Sequence, residues 1–209
     1  MQCQPARVWH PMRSILPQKL DIDHGVAAAY FTNPTWKLVV GGLICHNNEV
    51  CLIEPAKVPQ EVSATFSFFQ EKVDRFKDRS LRETLTRGLG EELGVSRKGL
   101  AYRETSLLQF ENHIPPDRNG GRKLTKHIVY FGLEVPHKGF KLRTDEVRSA
   151  LWVSSHDEFL EVLESLAVDR ADKYVALCTA VTVGCKIGLL NWKIPGVEKL
   201  PDETAHTVH

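Results

Sequence analysis

Glu91 and Glu92 stand side by side in the segment Arg87-Gly88-Leu89-Gly90-Glu91-Glu92-Leu93-Gly94-Val95, close to leucines on both sides. Adjacent carboxylates repel unless something positive lies between them and the solvent, and clustered oxygen donors are the usual partners of a hard divalent cation such as magnesium. At the border of an apolar face an unpaired carboxylate is costly, whereas two that face a cation and a phosphate are compensated. Taken alone, the pair has a plainer reading: two solvated glutamates, with Glu92 paired to a lysine or arginine. A third carboxylate would be most useful at residue 88, which is glycine.

These side chains need a rigid element to aim them. Ser80-Leu81-Arg82-Glu83 has a serine followed three residues later by glutamate ahead of a periodic apolar run, a capping box that starts a helix near Ser80. Gly94 ends it. At about 100° per residue from Leu81, Leu85 falls at about 40°, Leu89 at about 80° and Leu93 at about 120°, which is the apolar stripe. On the same count Glu92 lies at about 20°, Gly88 at about 340°, Thr84 at about 300° and Glu91 at about 280°. Thr84, Gly88, Glu91 and Glu92 therefore share a flank bordering the buried side. Gly88 and Gly90 each cost a helix roughly 1 kcal/mol relative to alanine, so helix stability does not explain them. Gly88 leaves room for a ligand or a neighbouring side chain, or marks relaxed constraint after lost chemistry.

Around this helix the pattern predicts strands at Trp36 to Cys45 and Glu49 to Glu54, joined by the turn His46-Asn47-Asn48, and a further strand at 64–69. Strands follow at 100–110 and 127–135, flanking a loop at 111–126 with Pro115-Pro116 and Gly120-Gly121, and then at 146–153. Ser155-His156-Asp157-Glu158 repeats the capping box and opens a helix to about Leu166, and a last helix covers 171–190. In that loop Arg118, Arg122, Lys123 and Lys126 could fold basic side chains over phosphates; the alternative is an ordinary solvated loop. Trp36, Trp152, Phe66 and Phe68 are either base-stacking or core aromatics, and His127, at a strand start, is either a substrate contact or structural.

Composition excludes several classes. With 27 Lys plus Arg against 26 Asp plus Glu among 209 residues, a formal charge of +1 gives no general pull toward nucleic acid or an anionic membrane. Cys3, Cys45, Cys51, Cys178 and Cys185 are odd in number and lack C-x-x-C spacing, arguing against a disulfide framework or zinc site and for reducing cytoplasm. Met1 to Leu20 holds no continuous apolar stretch for a secretory signal. Tyr174 to Cys185 is about a dozen residues, short of the roughly 20 that span a membrane, so it reads as a buried helix with Cys178 and Cys185 on its core face.

Arg87 to Val95 resembles the end of the Nudix box, whose pattern is Arg-Glu-apolar-any-Glu-Glu-any-Gly-apolar; Arg87, Leu89, Glu91, Glu92, Gly94 and Val95 match. The strand at Leu38 to Ile44, the hairpin and the closing strand and capped helix after Glu146 resemble the family's organisation, over roughly Trp36 to Leu166. The resemblance implies an α/β chain, a Nudix-like α/β/α sandwich with a mixed sheet. It divides the chain into an N-terminal extension (1–35), a Nudix-like domain (36–168) and a C-terminal helix and tail (169–209) packed on the same domain.

It also implies a hydrolase of a pyrophosphate bond in a nucleoside diphosphate derivative. Glu91 and Glu92 would ligate Mg2+ or Mn2+, with Arg87 orienting them through a salt bridge. The ligand would be a small nucleotide-like molecule, with no strong nucleic-acid signal and no membrane; a homodimer stays open. The chain departs from the pattern at Gly88, where the family has glutamate, and at Gln70 and Glu71, where it has paired glycines. Arg79 stands where the family has an upstream glutamate, and Lys72 to Arg87 is about two residues longer. Glu71, in the loop expected near the metal, is a candidate to restore a carboxylate. Glu83 either pairs with Arg87 at i,i+4 or caps the helix. Glu104, Glu111, Asp117, Asp145 and Glu146 are candidate bases by type, Glu111 being placed at the opening of the long loop. The alternative function is a catalytically inactive ligand-sensing or partner-binding module of the same fold.

Overall fold

The computed structural model describes residues 36–56, 66–74, 76–114, 124–169 and 171–197. At its centre is β1 (Trp36–His46), whose alternate residues serve two cores: Leu38, Val40 and Ile44 face one layer, Val39, Leu43 and Cys45 the other. A strand buried on both faces needs a continuous apolar run, which explains the sequence of Trp36 to Cys45. Asn47 and Asn48, both at positive φ (46° and 66°), turn the chain into β2 (Glu49–Pro55), as asparagines do in tight hairpins. β3 (Phe69–Lys72) pairs antiparallel with the first half of β1, and β2 with its second half.

The helix α1 (Leu81–Leu93) follows. Then come a 3-10 turn (Arg97–Gly99), β4 (Ala101–Ile114), β5 (Leu124–Glu134) and β6 (Val147–Val153). The sheet runs β4-β5-β1-β2-β6, with β5 parallel to β1 and the other neighbours antiparallel. α1 covers one face. The other carries α2 (His156–Val162), α3 (Glu164–Asp169) and α4 (Ala171–Lys186), and Phe159, Leu163, Leu166, Leu177 and Val181 are buried against it. This is the expected three-layer α/β/α sandwich with a mixed sheet.

Several boundaries shift. The strand expected at 64–69 is β3, beginning at Phe69, with one earlier bridge between Ser67 and Ile53; residues 57–65 lie outside the described set. β4 runs on to Ile114, so Glu111 sits inside a strand, opposite His127, and does not open a loop. The helix after Ser155 breaks at Leu163, whose N–H reaches back to the carbonyls of Phe159 and Leu160. The last helix stops at Lys186, four residues early, because Gly188 enters the left-handed region (φ 73°) and Leu189 N–H folds back onto the Gly184 carbonyl. Cys178 is half-buried and Cys185 buried on one core side of α4, and the four described cysteines are free. No helix among the described residues is long and apolar enough to cross a membrane.

Candidate functional site

The capped helix is built as its sequence requires. The Ser80 hydroxyl accepts the Glu83 N–H at 3.1 Å, and a Glu83 carboxylate oxygen accepts the Arg79 N–H at 2.9 Å. Gly94 adopts the left-handed conformation (φ 66°) and returns its N–H to the Leu89 carbonyl. Leu81, Leu85, Leu89 and Leu93 are fully buried, each contributing on the order of 2 kcal/mol by removal from water. That stripe fixes the rotation of the helix, leaving Thr84 and Gly88 buried, Glu92 half-buried and Glu91 exposed.

Arg87 is the hub of the flank. Its Nε donates to Asp78 Oδ1 at 2.8 Å and its Nη2 to Asp78 Oδ2 at 2.9 Å, a bidentate pair. Nη2 also reaches Glu71 Oε1 and the Lys72 carbonyl, each at 3.2 Å, and Nη1 donates to Glu91 Oε2 at 3.1 Å. The Asp78 side chain is 1% exposed and Arg87's 20%. Burial alone would raise the Asp78 pKa, but the guanidinium and the Asp74 N–H, 2.7 Å from Oδ2, hold it below the ordinary carboxylate value. Asp78 first, and Glu71 with it, raise the pKa of Arg87 further.

Glu71 belongs to β3, not to a loop. It pairs with Val40, whose side chain faces α1, so Glu71 points at the helix. There it meets Gly88: a Cβ built on that glycine would lie 2.7 Å from Glu71 Cγ, 2.9 Å from its Cβ and 2.9 Å from Phe69 Cζ. Only a residue without a side chain admits this contact. On the other side a strap after β5 docks on the end of α1, with Lys141 N–H on the Leu93 carbonyl at 3.0 Å and Arg143 N–H on the Glu92 carbonyl at 2.8 Å. The strap then turns and delivers Glu146. The Glu92 carboxyl thus lies near both Glu71 and Glu146. Burial first, then these two acids, pushes its pKa up to about 8.

Three carboxyl groups therefore converge, while Arg87, the cation beside them, is already engaged by Asp78. Among the described residues, no three His, Cys, Asp or Glu side chains stand at metal-ligating spacing. The donor chemistry nonetheless fits a divalent cation, since the cluster is all oxygen and excess in negative charge, and metal binding to such groups releases protons.

The sequence matches no protein-family model and no curated protein. Its shape does have relatives. A NUDIX hydrolase from Nitrosomonas europaea superposes with a TM-score of 0.50 at 15% identity, covering 70% of this chain and 86% of that one. The fold is that of the Nudix hydrolases. The NUDIX domain of Shewanella oneidensis NrtR, solved with ADP ribose, matches at TM-score 0.46 and 15% identity over 71% of this chain and 96% of that one. A C. elegans Ap4A hydrolase matches at 0.43 and 15% over 65% and 98%.

Within this Nudix fold the sequence-chosen residues separate. Arg87, Glu91, Glu92 and Glu71 are brought together. Glu146, one acid among five by type, joins them, while Asp145 is exposed and pairs with Arg143. Arg118, Arg122, Lys123 and Asp117 lie outside the described residues, as do the side chains of Glu104 and Glu111. Glu83 caps the helix, and the partners of Arg87 described above do not include it. The acid that pairs with Arg87 is Asp78, which sequence reasoning missed. It lies nine residues upstream, where the Nudix pattern places its acid eight before the arginine. Phe68 is a core aromatic and His127 is buried.

Proposed function

We propose that this chain is a divalent-metal-dependent hydrolase of a pyrophosphate bond in a nucleoside diphosphate derivative, with Glu71 on β3 replacing the carboxylate that Gly88 lacks. The supporting observation is the seating of Glu71 over Gly88, which brings its carboxylate to Glu92 and Arg87. Glu92, Glu71 and Glu146 would hold Mg2+ or Mn2+, with Glu91 on the solvent side. A divalent cation there neutralises phosphate charge and lowers the pKa of an attacking water. The chain's own contribution is positional. Asp78 pins Arg87, Arg87 orients Glu71 and Glu91, and the strap holds Glu146 beside Glu92.

Wild-type protein should bind Mn2+ in calorimetry and release product from at least one nucleoside diphosphate sugar, dinucleoside polyphosphate or nucleoside triphosphate. Glu92→Gln should weaken Mn2+ binding tenfold or more, as loss of one charged ligand does, and abolish turnover. Mn2+ binding unaffected by that change sinks the site. A second reading, a ligand-sensing or partner-binding module of the same fold, draws support from the lack of three acids at ligating spacing among the described residues. A silent panel combined with clear nucleotide-induced stabilisation favours it.

A further inference from the structure

We infer that Arg143, on the strap between β5 and β6, is the residue that grips a substrate phosphate at the carboxylate cluster; this rests on the hydrolase reading above. Its backbone is fixed on three sides. The Arg143 N–H donates to the Glu92 carbonyl at 2.8 Å, and its own carbonyl accepts the N–H groups of Glu146 at 3.0 Å and Val147 at 2.8 Å. The root of this side chain is thus tied to the residue at the centre of the acid cluster. Its guanidinium lies at the rim, with Nε 3.0 Å from Asp145 Oδ1 and Nη1 3.5 Å from Glu146 Oε1.

The two arginines near the cluster differ in what they can release. Arg87 is enclosed by Asp78, Glu71, Glu91 and the Lys72 carbonyl, and withdrawing it would strand Asp78 as a buried charge. Arg143 is 49% exposed and held by acids that are 60% and 41% exposed, and ion pairs of that kind are weak. Glu146, one of the residues that would hold the divalent cation, would then need Arg143 less for neutralisation. With Nε kept by Asp145, the two terminal Nη groups of the guanidinium would be left to phosphate oxygens.

The test compares wild type, Arg143→Gln and Arg143→Lys with two probes, Mn2+ alone and imidodiphosphate in the presence of Mn2+. An exposed side chain on a backbone-anchored strap can be exchanged without loss of the fold, which circular dichroism checks. Arg143→Gln should bind Mn2+ as well as wild type or up to threefold tighter, because a competing cation is gone. It should bind imidodiphosphate about tenfold more weakly, the effect of one lost charge-assisted contact. Arg143→Lys should fall between, keeping the charge and losing the fork. With a hydrolysed substrate, KM should rise about tenfold while kcat changes less than threefold. Unchanged imidodiphosphate affinity in Arg143→Gln overturns the assignment, as does a parallel loss of Mn2+ binding, which would make Arg143 a support for the carboxylates. A wild type that binds no Mn2+ overturns the hydrolase reading itself.

Discussion

Replacing Gly88 with alanine measures how tightly the helix and β3 are fitted to one another. In a free helix the change would stabilise by about 1 kcal/mol. Here the new Cβ would stand 2.7 to 2.9 Å from Glu71 Cγ and Cβ and from Phe69 Cζ. Neither neighbour yields easily: Glu71 Cβ is attached to a paired strand, and Phe69 is 1% exposed. Overpacking of this kind costs about 1–3 kcal/mol, so Gly88→Ala should destabilise the wild type by roughly 1 kcal/mol. With Glu71→Gly as background two of the three close contacts are gone and the one to Phe69 stays, so the same alanine should cost less than in wild type. The coupling from the double-mutant cycle is then about 1 kcal/mol. Urea denaturation of the four proteins gives it directly, and in thermal melts each kcal/mol moves Tm by about 2–4 °C. An alanine that stabilises wild type, or shifts both backgrounds equally, refutes the steric link between residues 71 and 88.

Two further outcomes follow from the charges. Asp78→Asn should cost about 3 kcal/mol, the lower end for breaking a buried pair, because Arg87 keeps 20% exposure; a loss below about 1 kcal/mol in urea denaturation would refute the pairing as a structural anchor. Glu92 sets a pH dependence. Its carboxyl is raised in the folded state from 4.5 to about 8 by burial and by Glu71 and Glu146, so its contribution favours folding below the unfolded value and is lost as pH rises through about 8. In chelator the protein should therefore lose thermal stability across that window. Glu92→Gln should flatten the slope, and Mn2+ should restore most at the alkaline end. An identical slope in Glu92→Gln would sink the cluster as its cause.

The legible parts of this chain are those set by neighbours in sequence. Ser80, Glu83 and Gly94 define a helix by local hydrogen bonds, and Asn47-Asn48 a hairpin by local dihedrals. The periodic leucines give the helix its rotation and so place Glu92 beside the core. What escapes depends on register between distant segments. Glu71 reaches Gly88 because β3 pairs Glu71 with Val40, a fact no local pattern carries, and a Gln-Glu pair in place of glycines extends a strand where the pattern implies a loop. Asp78 escapes because the longer connection moves the acid one place along the chain, and its role appears only when Arg87 folds back across it. Glu146 is chosen from five acids only by the strap docked on the end of α1.

Gly88 and Glu71 are coupled through their packing. A glutamate at residue 88 of α1 and one at residue 71 of β3 would compete for the same volume, since even a methyl group on residue 88 overlaps the Glu71 stem. The interface between helix and strand therefore admits a long side chain from one side only. From β3 the Glu71 carboxylate reaches Arg87 and the neighbourhood of Glu92. The space over residue 88 is filled by the Glu71 stem and the Phe69 ring. Glycine at residue 88 is thus explained by Glu71 and Phe69, which close over it from β3, and the acid at residue 71 by its ion pair with Arg87 beside Glu92.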